Sequence, residues 1–175
     1  MPKETEEVFT LLLTTSNTNS NKANNPVYRS DASGNLYNII WEVDYDTLFR
    51  GRQQLFKHCR VRFNLMGAGG TYTYDTQTGY LAANFATDYN AQTTYLPCIL
   101  GLLHARTNPN SSVGGAVSVY TVSTLQEVGV DINLAQLQGR QNLNLRWTND
   151  DGYSLIGNIT ADWEIMLEFT LYNPL

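Results

Sequence analysis

Charge, histidine, cysteine and long apolar runs are all scarce in this sequence. Of its 175 residues, 15% are charged, only three are lysines, and the formal net charge is −5. Nucleic-acid binding needs clustered Lys and Arg, so we expect no nucleic-acid partner. No run approaches the roughly 18 apolar residues of a membrane helix, so we expect no membrane insertion. The acidic start "MPKETEE" lacks the positive segment of a signal peptide, which predicts a protein that is not secreted.

The two cysteines and two histidines do not form the spacing of a metal site. Cys59 and Cys98 make no CxxC pair, and each lies within apolar alternation, where a free cysteine behaves as a small hydrophobic residue. A Cys59–Cys98 disulfide is the alternative. His104 ends an apolar segment without a second histidine at ligand spacing. We therefore predict neither a metal nor another cofactor.

Asparagine and threonine take the place of the missing charged residues, at 18 and 19 copies. Threonine suits strands and asparagine suits turns, so this composition favours β-structure with polar loops. The hydrophobic share of 42% suffices for the core of one domain over residues 1–175, with a polar loop at about 16–35.

Alternation of apolar and polar residues predicts eight antiparallel strands. They span 8–14, 36–43, 56–66, 80–86, 98–105, 116–123, 142–148 and 160–172. Helix is scarce: "DYDTLF" predicts a turn or two after Val43, and 124–139 has room for one short helix. The inward rows of the strands define a predicted core, which consists of Trp41, Val61, Phe63, Leu65, Leu145, Trp147, Trp163, Ile165, Leu167 and Phe169.

Eight short strands with polar connections predict an all-β, eight-stranded antiparallel jelly-roll sandwich, with an immunoglobulin-like sandwich as the alternative. In a jelly roll the first and last strands pair, and the last also lies beside the third. The third predicted strand has Arg60 and Arg62 on its outer face, and the last has Glu164 and Glu168. This topology therefore predicts cross-strand pairs between the two rows of charges.

The stretch "FKHCRVRFNL" places His58 beside Cys59 yet predicts no reactive pair. Neighbours along a strand point to opposite faces, so these side chains cannot form the contact that a nucleophile and its base require. "GAGG" at 67–70 lacks the full phosphate-loop spacing. "DYD" suits a helix N-cap at Asp44, and "NDDG" suits a turn. Neither fits the spacing of a calcium-binding loop. The sequence thus predicts no catalytic residue and a protein that is not an enzyme.

Three stretches together resemble a known family. "YNIIWEVDYDTLF" at 37–49 is a strand with a central tryptophan that runs into an acidic turn, and the arginine-bearing strand "FKHCRVRFNL" follows it. The last predicted strand lies within "WEIMLEFTLYNPL". The arrangement is similar to the small single jelly-roll capsid proteins of nucleocytoplasmic large DNA viruses, which form pentameric vertices (pentons) or serve as minor capsid components.

This resemblance implies a structural virion protein without catalysis or cofactor, assembled inside the host cell. Copies would form a homopentamer at each icosahedral fivefold vertex, beside a double jelly-roll major capsid protein and other minor capsid proteins. A ring interface of this kind joins two different patches head to tail. The sequence does not identify the interface residues. The loops at 16–35 and 67–79 are the candidates for the two patches that meet in the ring.

Two other functions stay open. The abundance of tyrosine suits a lectin-like or receptor-binding β-sandwich, for example a viral spike head. An enzyme on a sandwich scaffold, such as a glycosidase or a cupin-like metal protein, is the third hypothesis, although two histidines are few for a cupin metal set.

Overall fold

Two antiparallel β-sheets make up the fold. The computed structural model describes residues 5–16, 25–29, 36, 38–67, 71–72, 78–86, 98–107, 116–122, 129–148 and 162–174, with the side chains at 65–67, 71–72, 78–79, 102–107 and 116–122 outside that description. The strands are β1 (Thr5–Thr14), β2 (Tyr28–Arg29), β3 (Asn38–Asp44), β4 (His58–Gly67), β5 (Thr71–Tyr72), β6 (Thr78–Ala83), β7 (Cys98–Thr107), β8 (Ala116–Val122), β9 (Val130–Ile132), β10 (Arg140–Thr148) and β11 (Glu164–Asn173). One sheet has the order β1-β11-β4-β9, and the other has the order β2-β3-β10-β6-β7-β8-β5.

The predicted fold class, an all-β antiparallel sandwich with little helix, is confirmed. Each of the eight predicted strands has a counterpart, with boundaries shifted by a few residues. The described residues nevertheless form eleven strands, because β2, β5 and β9 add three that were not predicted. Each of these has only two or three residues, which is too short for an alternating pattern to show in the sequence.

The four-stranded sheet joins segments that are far apart in the sequence. β11 pairs with β1 on one side, from Thr14–Glu164 to Thr5–Asn173, and with β4 on the other. Alternate residues of β11 are fully buried, and the residues between them are half-buried or exposed. This is the pattern of a strand with one face in the core and one in solvent, and it explains why β11 was predictable.

A short helix, α1 (Tyr45–Leu48), follows β3 directly. Asp44 is its N-cap: the carboxylate Oδ1 accepts a hydrogen bond from the backbone N–H of Thr47 at 3.0 Å. Gly51, at a φ of 68°, then turns the chain into a 3₁₀ helix over Arg52–Leu55 that leads to β4. The predicted turn after Val43 and the predicted cap are both present.

The predicted short helix within 124–139 is not formed as an α-helix in the described residues 129–139. They contain β9 and a 3₁₀ turn at Leu134–Gln136 instead. Gly129 precedes β9 with a φ of 73°. A Cβ placed there would lie 2.7 Å from Cγ of Arg60 and 3.0 Å from the carbonyl oxygen of Val61. Glycine is therefore required by both the backbone angle and the close approach of β4.

Three tryptophans form the centre of the core. The Trp163 ring packs edge-on against Trp41, with ring centroids 5.8 Å apart, and against Trp147, at 5.6 Å. The indole N–H of Trp163 donates to the carbonyl oxygen of Leu36 at 2.8 Å, and that of Trp41 donates to the carbonyl oxygen of Thr14 at 2.9 Å. The three rings thus join the two sheets through apolar contact and through buried hydrogen bonds.

The structure places the residues of the predicted core in the interior. Nine of the ten have described side chains, and these are at most 5% exposed: Trp41, Val61, Phe63, Leu145, Trp147, Trp163, Ile165, Leu167 and Phe169. The tenth, Leu65, pairs opposite Ile165 in β4, and its side chain lies outside the described part.

Candidate functional site

The outer face of the four-stranded sheet carries the residues that the sequence singled out. His58, Arg60 and Arg62 lie on the outer face of β4, whereas Cys59 between them is fully buried. His58 and Cys59 therefore point to opposite sides of the sheet. The pair cannot work as nucleophile and base.

Arg62 pairs with the last strand as the jelly-roll topology predicts. It lies directly opposite Glu168 of β11, and its Nε donates a hydrogen bond to Oε1 of that glutamate. This hydrogen bond raises the pKa of the Arg62 guanidinium further above its usual value. Because the Arg62 side chain is 49% exposed, solvent screens the pair, and we expect it to stabilise the fold by less than about 1 kcal/mol.

Arg60 and Glu164 do not pair as predicted. Arg60 lies opposite Thr170 of β11, and its Nε donates to Oδ1 of Asp131 on β9 at 3.1 Å. Glu164 lies opposite Thr14 of β1, and within the described chain it forms no ion pair. The register is the reason: on the β4 side, Glu164 lies opposite Gly67 at the far end of the strand from Arg60, and β9 places Asp131 directly opposite Arg60.

Asp131 organises a small exposed cluster on this face. The hydroxyl of Tyr172 donates to the same Asp131 oxygen at 3.0 Å, and the Arg60 guanidinium carbon lies 5.2 Å from the centre of the Tyr172 ring. The His58 ring stacks on Tyr172 with centroids 5.3 Å apart. The burial and the hydrogen bond to Asp131 raise the pKa of Tyr172. The hydroxyl of Tyr172 thus stays protonated near neutral pH. The cluster links β9, β4 and β11 through hydrogen bonds and an ion pair.

Neither cysteine is reactive in this environment. Cys59 and Cys98 are both free and buried, so the alternative of a disulfide between them is not formed. Burial raises the pKa of the Cys59 thiol well above its usual range and that of Cys98 to about 12. A thiol must ionise to act as a nucleophile or metal ligand, and these two remain protonated near neutral pH.

The residues considered for calcium binding are engaged otherwise. Asp44 caps α1, and the hydrogen bond from the Thr47 backbone lowers the pKa of its carboxyl group. Asp46 accepts a hydrogen bond from the Gln53 amide. Within the described residues no three His, Cys, Asp or Glu side chains gather as a metal set. The "NDDG" stretch at 149–152 and the side chain of His104 lie outside the described part.

A groove opens along the side of the sandwich, between β1 of one sheet and β3 of the other. Its volume is about 390 Å³. Apolar side chains of β1, β3 and α1 form the floor, and polar side chains form the rim: the floor consists of Leu11, Leu13, Val43 and Leu48, and the rim of Glu42, Asp44, Thr47 and Arg140. Sequence analysis missed this groove because its walls are distant in the sequence.

A second, smaller cavity lies where the chain passes between β6, β9 and β10. Its volume is about 30 Å³, which is the room of a single water molecule. Side-chain amides line much of it, yet those of Asn84, Asn133 and Gln141 already hold backbone groups of the loops and strands around them. The cavity is a structural feature and too small for a substrate.

The predicted interface loops, 16–35 and 67–79, lie largely outside the described residues. No helix in the described part is long and apolar enough to cross a membrane. Comparisons with protein-family models, with curated proteins and with solved structures found no match to this chain.

Proposed function

We propose that this protein is a structural capsid protein of a large DNA virus, and that it forms the pentameric vertex of an icosahedral shell. The observation that carries the proposal is the strand order of the four-stranded sheet. The last strand, β11, lies between the first strand, β1, and the third long strand, β4. Side-by-side first, last and third strands are what the single jelly roll of this capsid family requires.

The second sheet supports the same topology. Its central strands follow the order β3-β10-β6-β7, so each of the long strands β3 and β6 borders β10, which comes much later in the chain. Such pairing of strands that are distant in the sequence is expected of a jelly roll and does not occur in a meander of hairpins. One departure concerns β8, which pairs with β7, while the short β9 takes the place beside β4.

The chemistry of the described surface agrees with an assembly role. Both arginines on the outer face of the four-stranded sheet, Arg60 and Arg62, are paired with carboxylates, and both thiols are buried. The low charge of the sequence suits surfaces that bury against neighbouring proteins. These features favour a shell component over an enzyme.

The mass of the purified particle tests the proposal. Light scattering after size exclusion is expected to give a species near five times the 19.7 kDa of one chain. Class averages from negative-stain electron microscopy should then show fivefold rings. A strictly monomeric particle at high concentration, which also fails to bind the shell proteins encoded with it, would overturn the proposal and favour the receptor-binding alternative.

A further inference from the structure

One sheet edge differs from the other three in length. The seven-stranded sheet ends in β2 and β5, each of two residues, and the four-stranded sheet ends on one side in β9, of three residues. Its other edge is β1, with ten residues. Short edge strands prevent pairing with other chains, whereas a long regular edge is a template for it. Among the described strands, β1 is the long edge.

The hydrogen bonds of β1 show which backbone groups face outward. The N–H of Thr15 donates to the carbonyl oxygen of Trp163, so odd-numbered residues bond to β11. In a strand the N–H and C=O of alternate residues point to opposite sides. Val8, Thr10 and Leu12 therefore direct both groups away from β11, and within the described chain no backbone bond reaches them. The pairing with β11 has no bulge that would twist this edge away.

Both faces of this edge carry apolar side chains. Val8 is 52% exposed and Leu12 is 41% exposed on the outer face. On the inner face, Leu11 and Leu13 open into the groove of about 390 Å³ that continues to Val43 of β3. A strand that paired with β1 would find apolar surface on each of its faces.

The rim of the groove adds a charge preference. Glu42 and Asp44 share Arg140 at 3.7 Å and 3.5 Å, and the Arg140 side chain is 72% exposed. Two carboxylates with one loosely held guanidinium leave a net negative rim. A basic side chain on an incoming segment would complete this arrangement.

We propose that β1 receives an extended segment of a partner protein, which adds as a fifth strand to the four-stranded sheet. The segment carries apolar side chains on alternate residues that enter the groove, and a basic side chain that meets the rim at Glu42 and Asp44. This mode of recognition uses backbone hydrogen bonds for affinity and side-chain pockets for specificity. It stands on the edge and the groove alone and does not depend on the capsid function.

A second copy of this chain fits the edge less well. None of the other described edges offers an unpaired run of ten residues: each ends in a strand of two or three residues, and the longest unpaired stretch beside such a strand is 62–67 of β4. Pairing of β1 with β1 would bring the Glu6 carboxylate of each strand, which has no ion-pair partner among the described residues, toward the acidic rim of the other copy, whereas Glu7 is already paired with Arg52. The partner is therefore a different segment, with the positive charge that β1 lacks.

The experiment uses the full chain and a defined probe: a capped ten-residue peptide in which valine alternates with threonine and a lysine stands at each end. Hydrogen exchange of the β1 amides is measured by NMR with and without the peptide. The amides of Phe9 and Leu11 should be protected in both samples, because they bond to β11. Those of Val8, Thr10 and Leu12 should exchange at least about tenfold more slowly when the peptide is present, and they should be unprotected without it. A peptide with glutamate in place of lysine is the charge control.

Two variants test the geometry of binding. Thr10→Pro removes one outward N–H without removing a bond to β11, so it should weaken peptide binding by about tenfold, while Thr10→Val should leave it unchanged. Should the proline variant fail to fold, Glu42→Lys provides a second test. It should weaken binding of the lysine peptide by several-fold, in contrast to Glu164→Lys on the outer face.

The remaining outcomes contradict the proposal. Even-numbered amides that are already protected in the free protein, at every concentration, would mean that the chain covers its own edge. Protection that rises with protein concentration, together with a dimeric mass that Thr10→Pro abolishes, would assign the edge to a second copy. Unprotected amides that the peptide does not slow would show that this edge accepts no strand.

Discussion

Truncation of Trp163 should destabilise the protein more than any single change on its surface. The side chain is 1% exposed, and its ring packs edge-on against Trp41 and Trp147. Trp163→Ala removes these contacts and leaves a cavity, which costs about 3–5 kcal/mol of unfolding free energy. This is a large share of the roughly 5–15 kcal/mol of a typical domain. The variant should therefore be near the limit of folding.

Trp163→Phe separates the two contributions of the indole. The phenyl ring keeps most of the packing but cannot donate to the carbonyl oxygen of Leu36, which remains buried without its partner. An unsatisfied group of this kind costs about 1–3 kcal/mol. The phenylalanine variant should thus lie between the natural protein and Trp163→Ala.

Urea denaturation followed by far-UV circular dichroism measures both variants at one fixed protein concentration, since assembly would otherwise shift the midpoint. With a slope of about 2 kcal/mol per molar urea, the alanine variant should lower the midpoint by about 1.5–2.5 M and the phenylalanine variant by about 0.5–1.5 M. Leu55→Ala, at a site 60% exposed, is the matched control and should change it little. A midpoint that Trp163→Ala shifts by less than about 0.5 M would refute the central role of the tryptophans.

Three further predictions concern the turns, the thiols and the cap. Gly129→Ala should cost clearly more stability than Gly139→Ala. Both glycines have a positive φ, which costs alanine about 1–2 kcal/mol at either site, but only at Gly129 would the added Cβ also collide with neighbouring atoms. Ellman's reagent at about pH 8 should label neither Cys59 nor Cys98 in the folded protein and both after denaturation. The pKa of Asp44 is lower in the folded than in the unfolded protein. Its ionised carboxylate should therefore contribute fully to folding stability above the unfolded-state pKa, and this contribution should decline as the pH falls through the folded-state pKa. Asp44→Asn should lack this pH dependence, as urea midpoints across the acid range would show.

Contrary results would each identify a specific error. Equal costs for the two glycine variants would mean that β4 does not approach Gly129 closely. Labelling of a native thiol would place that cysteine outside the core. A difference between Asp44→Asn and the natural protein that is constant from neutral to acid pH would show that the charge of the carboxylate has no part in capping α1.

The sequence predicted the long strands that have one face in the core, because only these show a clear alternation of apolar and polar residues. Trp163, Ile165 and Phe169 stand at alternate positions, so their common burial followed from the pattern alone. β9 has three residues and could not show such a pattern, and with it Asp131 was missed as the partner of Arg60. The signal that could have found it is the "GVDI" stretch, where a glycine precedes an aspartate between two apolar residues.

The surface features depend on contacts that no local pattern contains. Val43 and Leu11 are separated along the chain and meet only because β1 and β3 lie at the same side of the two sheets. The groove therefore required the structure. The absence of a reactive His58–Cys59 pair, in contrast, followed from the sequence, because adjacent residues of any strand face opposite ways.

The pairing of β1 with β11 has a consequence for how the protein is made. A ribosome adds about 5–20 residues per second, so β1 leaves the exit tunnel many seconds before β11 exists. During that interval its apolar side chains have no native neighbour on the β11 side, and the four-stranded sheet cannot close. Folding of this sheet is thus delayed until the final strand is synthesised, and its many long-range contacts predict slow closure thereafter. Until β11 is made, the nascent chain exposes apolar side chains that this sheet later buries, and exposed surface of that kind favours aggregation over folding.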